Sequence, residues 1–551
     1  MKDWRSHLTQ FDDADARRFR ENGWWRDRLL FDYVEEHAAS DPGRTAVVDA
    51  RGTMTRDELL GEARRIAAGL VRLGVQPGDV VTGQLPNWTE AVALTVACTR
   101  IGAVLNTISP IFRARDVSAM LRLASPKVVI TPDTFRGFDH LSMMQDLVAQ
   151  LPERPQLVVI AATAPEGVVT WRDLGSADPA DLPERPAPDA VAQLAFTSGT
   201  TGEPKGILHT HNTLIASAAS YVERFSVDDQ DVLHMASTVG HQTGILFGVS
   251  GPIVAGATAV MQEVWDAEQF IELVDRHGIT ITNGAIPFLA DTLRAGNFDK
   301  FDLHSLRVFS CIGAGLPAAL AHQAQAKLPK AKLVGGWGMT ETGLAVTNLL
   351  TDPIETVCAV DGQLVPGAEL RILDEELTTE LPVGEEGQIV VRGPQRHLGF
   401  LQTALAQTCF LPDNWYITGD RGYFRPDGQF VMTTRAKDII VRGGENIPVA
   451  EVENLVIAHP AVLEAAVVAV PDERLGERAC ACVVLDEGAS LSLEELREWL
   501  SKHELTKHFW PEYLTVLETL PKTVSGKIQK FVLRDMVGLG GASTPAGQPR
   551  G

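Results

Sequence analysis

Short apolar runs rich in β-branched residues alternate with segments of helical periodicity up to about residue 345. Two of these runs cover residues 156–160 and 306–311. Between them, Phe270, Ile271 and Val274 recur at helical spacing, which predicts an amphipathic helix that covers a sheet. This alternation is typical of helices packed on parallel sheets.

The pattern changes in the second half of the chain. From about residue 360 to 434 strand-like runs dominate, and turn pairs such as Asp427-Gly428 separate them. Such a pattern predicts an antiparallel, barrel-like subdomain. After residue 437 a small α+β unit begins, with a predicted helix over 449–458 and predicted strands over 465–470 and 481–485.

A capping signal marks another helix in this C-terminal unit. Ser492 and Glu495 have the spacing of a capping box, and Leu491 and Leu496 flank them as a hydrophobic staple. The combined patterns predict an α/β fold: a large N-terminal domain of two β/α sheet subdomains plus the barrel-like subdomain, and a small, separate α+β C-terminal domain. We place these domains at residues 1–436 and 437–537. Residues 538–551, rich in Gly, Pro, Ser and Ala, are expected to form a disordered tail.

Composition and charge exclude several classes of protein. Of 551 residues, 45% are hydrophobic and 22% charged, which is ordinary for a globular protein. The formal net charge of −22 argues against a general binder of nucleic acid or of anionic membranes. The six cysteines form no CxxC pair, so neither a zinc site nor a disulfide framework is expected. Cys480 and Cys482 are expected on one face of a strand.

Two segments bear on the cellular location of the protein. The first seven residues contain no apolar segment that could serve as a secretion signal, so we expect a reducing cytoplasmic environment. Residues 244–261 carry no charge, but four glycines and Pro252 divide them. We therefore interpret this run as a buried helix, a turn and a strand, and expect no membrane span.

A loop rich in hydroxyl groups, residues 196–206, is the clearest chemical signal. Glycines allow close approach of the backbone to an anion, hydroxyls add donors and a lysine adds positive charge, so the loop suits a polyphosphate better than a plain surface turn. An apolar strand over 191–196 would present the loop at its carboxyl end, where open α/β sheets usually bind ligands. Its candidate contacts are Thr197, Ser198, Gly199, Thr200, Thr201, Gly202 and Lys205.

The loop differs from the phosphate loop of common NTPases, because Lys205 stands between Pro204 and Gly206 instead of preceding Ser or Thr. It resembles the signature loop of the adenylate-forming superfamily, which includes acyl-CoA synthetases, aryl-acid AMP ligases, luciferases and the adenylation domains of peptide synthetases. Residues 335–343 resemble the second signature of that superfamily.

The resemblance implies roles for this second motif. Trp337 would stack on adenine with Gly338 and Met339 beside it, Thr340 would contact phosphate, and Glu341 would act in catalysis by helping to hold Mg²⁺. A purine favours a flat π surface, and a hard cation favours carboxylate oxygen. A glycine loop at Gly313, Ala314 and Gly315 resembles the segment that lines both the adenine and acyl pockets.

Three further motifs complete the resemblance, which extends over residues 196–530. It implies that Asp420 binds the ribose hydroxyls, Arg435 contacts ribose or phosphate, and Lys437 is the hinge of the C-terminal domain. The family usually has glycine where this chain has Thr434. Gly443 and Gly444 would let the pantetheine arm of CoA pass, and Lys527 would be the catalytic lysine.

The resemblance implies a reaction in two steps. A carboxylate attacks the α-phosphate of ATP·Mg²⁺ to give acyl-AMP and pyrophosphate, and a thiol then displaces AMP. For the acyl pocket it implies His241 as a gate beside the substrate carboxylate, with Gln242, Thr243 and Gly336 nearby. No basic residue lies near this segment and residues 244–247 look apolar, which favours a neutral hydrocarbon acid.

The chain looks most similar to short- and medium-chain acyl-CoA synthetases and cyclohexanecarboxylate-CoA ligases, with CoA as cosubstrate. An aryl-acid AMP ligase that loads the phosphopantetheine of an acyl or aryl carrier protein is an alternative, suggested by residues 22–25. Gln242 stands where that group often has asparagine, which weakens this alternative but does not exclude it. A non-catalytic acyl or nucleotide sensor on the same fold is another. Both a monomer and a homodimer are compatible with the sequence.

Overall fold

A computed structural model describes residues 4–197, 204–312, 315–435, 440–442, 445–447, 449–472, 476–503, 505, 507–523 and 528–539. The strands up to residue 364 are β1 (Thr45–Asp49), β2 (Gly52–Thr55), β3 (Val80–Gly83), β4 (Val104–Thr107), β5 (Val128–Pro132), β6 (Thr134–Phe135), β7 (Phe138–Asp139), β8 (Gln156–Ile160), β9 (Val168–Thr170), β10 (Val191–Thr197), β11 (Lys205–Thr210), β12 (Val232–Met235), β13 (Thr258–Met261), β14 (Ile281–Gly284), β15 (Val308–Ile312), β16 (Lys332–Met339), β17 (Gly343–Thr347) and β18 (Gln363–Leu364). The later strands are β19 (Glu369–Leu373), β20 (Gly387–Arg392), β21 (Gly399–Phe400), β22 (Tyr416–Phe424), β23 (Phe430–Arg435), β24 (Ile440–Arg442), β25 (Glu445–Ile447), β26 (Val462–Asp472), β27 (Gly476–Leu485) and β28 (Tyr513–Val516).

The helices alternate with these strands as the periodicity predicts. They are α1 (Asp13–Glu21), α2 (Leu30–Ser40), α3 (Arg56–Arg72), α4 (Thr89–Ile101), α5 (Ala114–Ala124), α6 (His140–Ala149), α7 (Trp171–Leu174), α8 (His211–Arg224), α9 (Gln242–Ile245), α10 (Gly251–Ala255), α11 (Ala267–His277), α12 (Ile286–Arg294), α13 (Ala318–Lys327), α14 (Ile354–Ala359), α15 (Ala406–Cys409), α16 (Val449–Ile457), α17 (Leu493–Lys502) and α18 (Lys530–Leu539). The predicted apolar face of α11 is confirmed, because Phe270, Ile271 and Val274 are fully buried.

Two large sheets form most of the N-terminal part. One has the order β18-β17-β16-β15-β14-β12-β13-β1-β2, and the other the order β21-β11-β10-β4-β3-β5-β8-β9. Their central strands are parallel, while β16–β17, β17–β18, β1–β2, β10–β11 and β11–β21 are antiparallel. The largest apolar core includes residues of both sheets, such as Val81 and Met235, together with helix residues such as Ile215 of α8. The predicted pair of β/α sheet subdomains is confirmed.

The uncharged run 244–261 folds as a buried helix, a turn and a strand, as predicted. Helix α9 continues through a π-helical turn, Leu246–Ser250, into α10. Gly256 then adopts a left-handed φ of 74° and the chain enters β13. None of the helices in the described part of the chain is both long enough and apolar enough to cross a membrane.

The region from about 360 to 434 is antiparallel, as expected, with four strands in the linear order β19-β20-β22-β23. The C-terminal unit forms a separate sheet of β24 to β28, covered by α16, α17 and α18. The capping box is present, because Ser492 Oγ accepts from Glu495 N at 3.2 Å and Glu495 Oε2 accepts from Ser492 N at 2.8 Å. Cys480 and Cys482 lie buried in one cluster on the same face of β27, as predicted.

The end of the chain differs from the expected tail in one detail. Helix α18 includes Gly538 and Leu539, which the sequence reading assigned to the tail. Residues 540–551 lie outside the described residues.

Candidate active site

The hydroxyl-rich loop joins two antiparallel strands, β10 and β11. Thr197, the last residue of β10, lies opposite Lys205, the first residue of β11. Both flanks of the loop are therefore fixed by the sheet, although residues 198–203 lie outside the described residues. Gln402 holds the exit, because its Oε1 accepts from Gly206 N at 3.0 Å and its Nε2 donates to Pro204 O at 2.8 Å.

The second motif is a β-hairpin, formed by β16 and β17. Its glycines have steric reasons within the hairpin: a Cβ on Gly336 would lie 2.7 Å from Val346 O, and one on Gly338 would lie 2.2 Å from Gly343 O. Met339 and Gly343 are paired across the turn, so Thr340 and Glu341 lie at its tip. The predicted contribution of Gly336 to an acyl pocket stays a prediction.

The hairpin contacts the predicted ribose-binding residue directly. Trp337 Nε1 donates to Asp420 Oδ2 at 2.9 Å, and the two residues are only 4% and 2% exposed. Asp420 lies opposite Arg435 in the β22–β23 pair. Three residues from three separate motifs therefore meet at one place. The side chain of Arg435 lies outside the described residues, and stacking of adenine on Trp337 stays a prediction.

A second carboxylate lies near Asp420. Asp361 Oδ2 accepts from Met432 N at 2.7 Å. Burial raises the pKa of Asp361 to about 6, and the negative charge of Asp420 adds to this shift. The nucleoside end of the candidate site therefore concentrates negative charge beside β22.

The tip of the hairpin is held from two directions. His209 Nε2 lies 2.8 Å from Thr340 O, and His397 Nδ1 lies 3.0 Å from Glu341 O. The Glu341 carboxylate is hydrogen bonded to the Tyr416 hydroxyl. Burial, reinforced by this carboxylate, raises the pKa of Tyr416 well above its usual value, so the phenol stays a donor at neutral pH.

The acyl-site candidates form the start of α9. His241 is exposed and caps the helix, with its Nδ1 accepting from Thr243 N at 3.2 Å. Gln242 is 7% exposed, and its Oε1 has no hydrogen-bond partner among the described residues. Ile245, Leu246 and Phe247 follow and are buried. The roles of His241, Gln242 and Thr243 in substrate binding stay predictions.

Several predicted residues fall outside the described part of the chain. These are Ser198, Gly199, Thr200, Thr201, Gly202, Gly313, Ala314, Lys437, Gly443, Gly444 and Lys527. Gly315 is described: it is exposed and lies shortly before α13. Outside these gaps, no three His, Cys, Asp or Glu side chains are grouped closely enough to hold a metal ion.

Sequence reasoning missed four residues that contact the motifs. His209, His397, Tyr416 and Gln402 each contact a motif residue more than 50 residues away. Tyr416 lies four residues before Asp420, but nothing local in the sequence points to Glu341. Their signal was polarity alone: His209 lies in β11 and Tyr416 in β22, while His397 and Gln402 lie just before and just after β21.

Comparison with known proteins identifies the family. Residues 34–401 match the model of the AMP-binding enzymes, and residues 451–527 match the model of the C-terminal domain of AMP-binding enzymes. The chain belongs to the AMP-binding enzyme family. Among its relatives, a medium-chain fatty-acid–CoA ligase of Escherichia coli is 36% identical over 529 residues, which cover 95% of this chain and 93% of the relative.

Other relatives of this AMP-binding enzyme differ in their acceptor. A salicyl-AMP ligase / salicyl-S-ArCP synthetase of Mycobacterium tuberculosis is 33% identical over 536 residues, covering 95% of this chain and 93% of the relative. The crystal structure of ATP-bound MatB from Rhodopseudomonas palustris superposes with a TM-score of 0.83 at 27% identity, covering 93% of this chain and 99% of MatB. The predicted fold class and the predicted membership among ATP-dependent, AMP-forming acyl-CoA ligases are confirmed.

Proposed function

We propose that this AMP-binding enzyme activates a mainly apolar carboxylic acid with ATP, giving acyl-AMP and pyrophosphate, and then transfers the acyl group to CoA. The observation that supports this best is the contact between Trp337 and Asp420, with Arg435 opposite in the sheet. This contact brings together the residues proposed to bind adenine, ribose and phosphate.

The residues of the chain supply positioning and charge. Asp420, oriented by the indole N–H, accepts hydrogen bonds from the ribose hydroxyls. Thr197, Lys205 and the hydroxyl-rich loop bind the phosphates through backbone and hydroxyl donors. Lys527 places an ammonium between the substrate carboxylate and the α-phosphate, where negative charge accumulates during attack. No protein nucleophile is needed, because the substrate carboxylate is itself the nucleophile.

Magnesium fits the residues present at the hairpin tip. Glu341 offers one carboxylate, which Tyr416 orients, and Mg²⁺ in nucleotide enzymes commonly takes one or two carboxylates and completes its shell with phosphate oxygens and water. When bound, the ion would neutralise charge on the phosphates. Thr340, beside Glu341, would donate its hydroxyl to the same phosphates.

The residues at the start of α9 support two candidate classes of carboxylic acid. The buried apolar residues after Gln242 and the Escherichia coli relative favour a hydrocarbon acid. Gln242 Oε1 is buried and has no hydrogen-bond partner among the residues that the structure describes, which favours a second candidate, a hydroxylated aryl acid whose hydroxyl would donate to it. Within the segment 22–25, Trp25 Nε1 donates to Pro394 O at 2.9 Å and Trp24 packs against Gly367.

The domain boundary, the hinge, the location and the acceptor complete the proposal. We place the domain boundary at residues 436–437, supported by the change of sheet between β23 and β24. Rotation of the C-terminal domain about Lys437 would remove Lys527 from the acyl-adenylate and bring Gly443 and Gly444 to it. A cytoplasmic location and a monomeric or homodimeric state stay predictions, as does a carrier protein as alternative acceptor.

The test is pyrophosphate release from ATP against a panel of acids, with and without CoA. Straight-chain acids, cyclohexanecarboxylate, benzoate and salicylate should be compared. We expect acid-dependent release with the hydrocarbon acids and formation of acyl-CoA when CoA is present. Lys527→Ala should lose acid-dependent pyrophosphate exchange by about 100-fold or more, whereas Lys502→Ala on the surface of α17 should retain it.

The outcomes separate the alternatives. Salicylate turnover with acyl-AMP release and unacylated CoA would favour a carrier-protein loader. Nucleotide binding without release for any acid would favour a sensor and contradict the proposed function.

A further inference from the structure

Two buried histidines hold the backbone at the tip of the β16–β17 hairpin. His209 Nε2 lies 2.8 Å from the carbonyl oxygen of Thr340. The carbonyl oxygen of the next residue, Glu341, accepts from His397 twice, from the backbone N at 2.8 Å and from Nδ1 at 3.0 Å. The residues concerned are the two whose side chains the proposed function directs at the phosphates and at Mg²⁺.

Both imidazoles must donate through the nitrogen that faces the carbonyl, because a carbonyl oxygen can only accept. The donating nitrogens are therefore His209 Nε2 and His397 Nδ1. The other ring nitrogen of His209, Nδ1, lies 3.1 Å from Thr213 Oγ1.

The two histidines belong to one rigid frame. His209 lies in β11, and His397 lies just before β21, the strand that pairs with β11. Their ring centroids are 6.4 Å apart. The His397 ring packs edge-on against the Tyr416 ring, with the ring centroids 4.9 Å apart. The Tyr416 hydroxyl is hydrogen bonded to the Glu341 carboxylate. Glu341 is thus held at its main chain and at its side chain by neighbouring residues.

This arrangement links the phosphate loop to the hairpin. Strand β11 begins at Lys205, directly after the hydroxyl-rich loop, and reaches the hairpin tip four residues later through His209. A shift of the tip by about 1 Å would misplace the Thr340 hydroxyl and the Glu341 carboxylate relative to the phosphates, and errors of that size cost enzymes large factors in rate.

We propose that His209 and His397 are positioning residues for adenylation, which fix the hairpin tip by hydrogen bonds to its carbonyl groups and so aim Thr340 and Glu341 at ATP·Mg²⁺. The proposal rests on the proposed function. It assigns no proton transfer to either ring.

Donor-matched variants test it. His397→Asn keeps an N–H donor at the δ position, and His209→Gln keeps one at the ε position, whereas leucine at either site keeps bulk and removes the donor. His140→Leu is the matched control, since His140 is also fully buried and its Nδ1 lies 3.2 Å from Gln84 Oε1. His140 begins α6 and Gln84 follows β3, so neither belongs to the hairpin or to β11.

The primary measurement is the affinity of the whole chain for ATP·Mg²⁺ by titration calorimetry, alongside acid-dependent pyrophosphate exchange. The leucine variants should lose about tenfold in ATP·Mg²⁺ affinity and need about tenfold more Mg²⁺ for half-maximal exchange, with the KM for the acid unchanged. The amide variants should recover to within about threefold. Thermal unfolding of each variant checks that it is folded.

Three results would overturn the proposal: leucine and amide variants that bind ATP·Mg²⁺ alike, a normal affinity in both leucine variants, or the same loss in His140→Leu. Failure of the proposed function is seen separately, as a wild-type chain that shows no acid-dependent exchange. In that case the calorimetric comparison still decides whether the histidines position the nucleotide site.

Discussion

A single amide, that of Gln402, fixes both sides of Lys205. It accepts from Gly206 N and donates to Pro204 O, and Leu401 N donates to Gly206 O at 2.8 Å. We expect Gln402→Ala to raise the KM for ATP about tenfold and leave the KM for the acid unchanged. Without the Gln402 amide the backbone on either side of Lys205 is no longer held, so the Lys205 ammonium is less precisely positioned. Steady-state pyrophosphate release with each substrate varied in turn measures both constants.

Gln388→Ala is the matched control, since the Gln388 amide donates to Glu375 at the surface at 3.0 Å. It should leave both constants unchanged. Equal increases in the two KM values for Gln402→Ala would instead indicate a general loosening of the protein. The interpretation that Gln402 holds the backbone on either side of Lys205 would then be wrong.

At the residue scale, the sequence predicted the motif residues but not what holds them. Asp420 and Trp337 were both found as candidates, yet their hydrogen bond joins residues 83 positions apart and follows from no local pattern. The same is true of His209 and Gln402, whose partners are 131 and 196 positions away. Spacing within a motif shows which chemistry is available, whereas long-range contacts show how it is oriented.

At the element scale, locally encoded features were predicted well. The strand over 156–160 and the capping box at Ser492 depend on short-range patterns, and both are present. The glycine-rich segment 335–343 was recognised only as a signature motif, and no secondary structure was predicted for it. It is a hairpin, because glycines let its two backbones approach more closely than side chains would allow.

That hairpin yields a prediction for Gly343. Its φ of 60° is left-handed, and a Cβ there would lie 2.3 Å from Ser217 Oγ of α8. We expect Gly343→Ala to lower the free energy of unfolding by about 2 to 4 kcal/mol, through backbone strain plus overpacking. Pyrophosphate exchange should fall as well, because Thr340 and Glu341 share this turn. Urea unfolding measures the change in stability.

Gly428→Ala separates the two causes. Its φ is 80°, but no atom lies within 4 Å of an added Cβ. This variant should lose only about 1 kcal/mol, from strain alone. Equal losses in Gly343→Ala and Gly428→Ala would show that packing against Ser217 contributes nothing.

At the scale of the whole molecule, buried neutral histidines make the fold sensitive to acid. Burial lowers the pKa of four of them to about 4: His140, His209, His211 and His234. In the unfolded chain each would titrate near its ordinary value of about 6.5. Between these values the unfolded state binds more protons, so stability falls as the pH falls.

The size and window of this effect follow from the shift. A change from about 6.5 to about 4 corresponds to about 3 kcal/mol for each buried histidine at most, and most of it is lost by about pH 5. The carboxylates with lowered pKa, such as Asp231, lose their contribution only below about pH 4.5. Asp361 opposes the trend, because its raised pKa favours the folded state as the pH falls below about 6.

We therefore expect the urea midpoint to fall steeply between pH 6.5 and pH 5, before the carboxylates titrate. Salt at about 0.15 M limits the opposing gain from a smaller net negative charge, since it screens charges beyond about 8 Å. His140→Asn, which keeps a donor for Gln84 and cannot be protonated, should show a shallower fall than the wild type. A midpoint that stays constant over this window, or the same slope in both proteins, would mean that the histidines are not kept neutral by the fold.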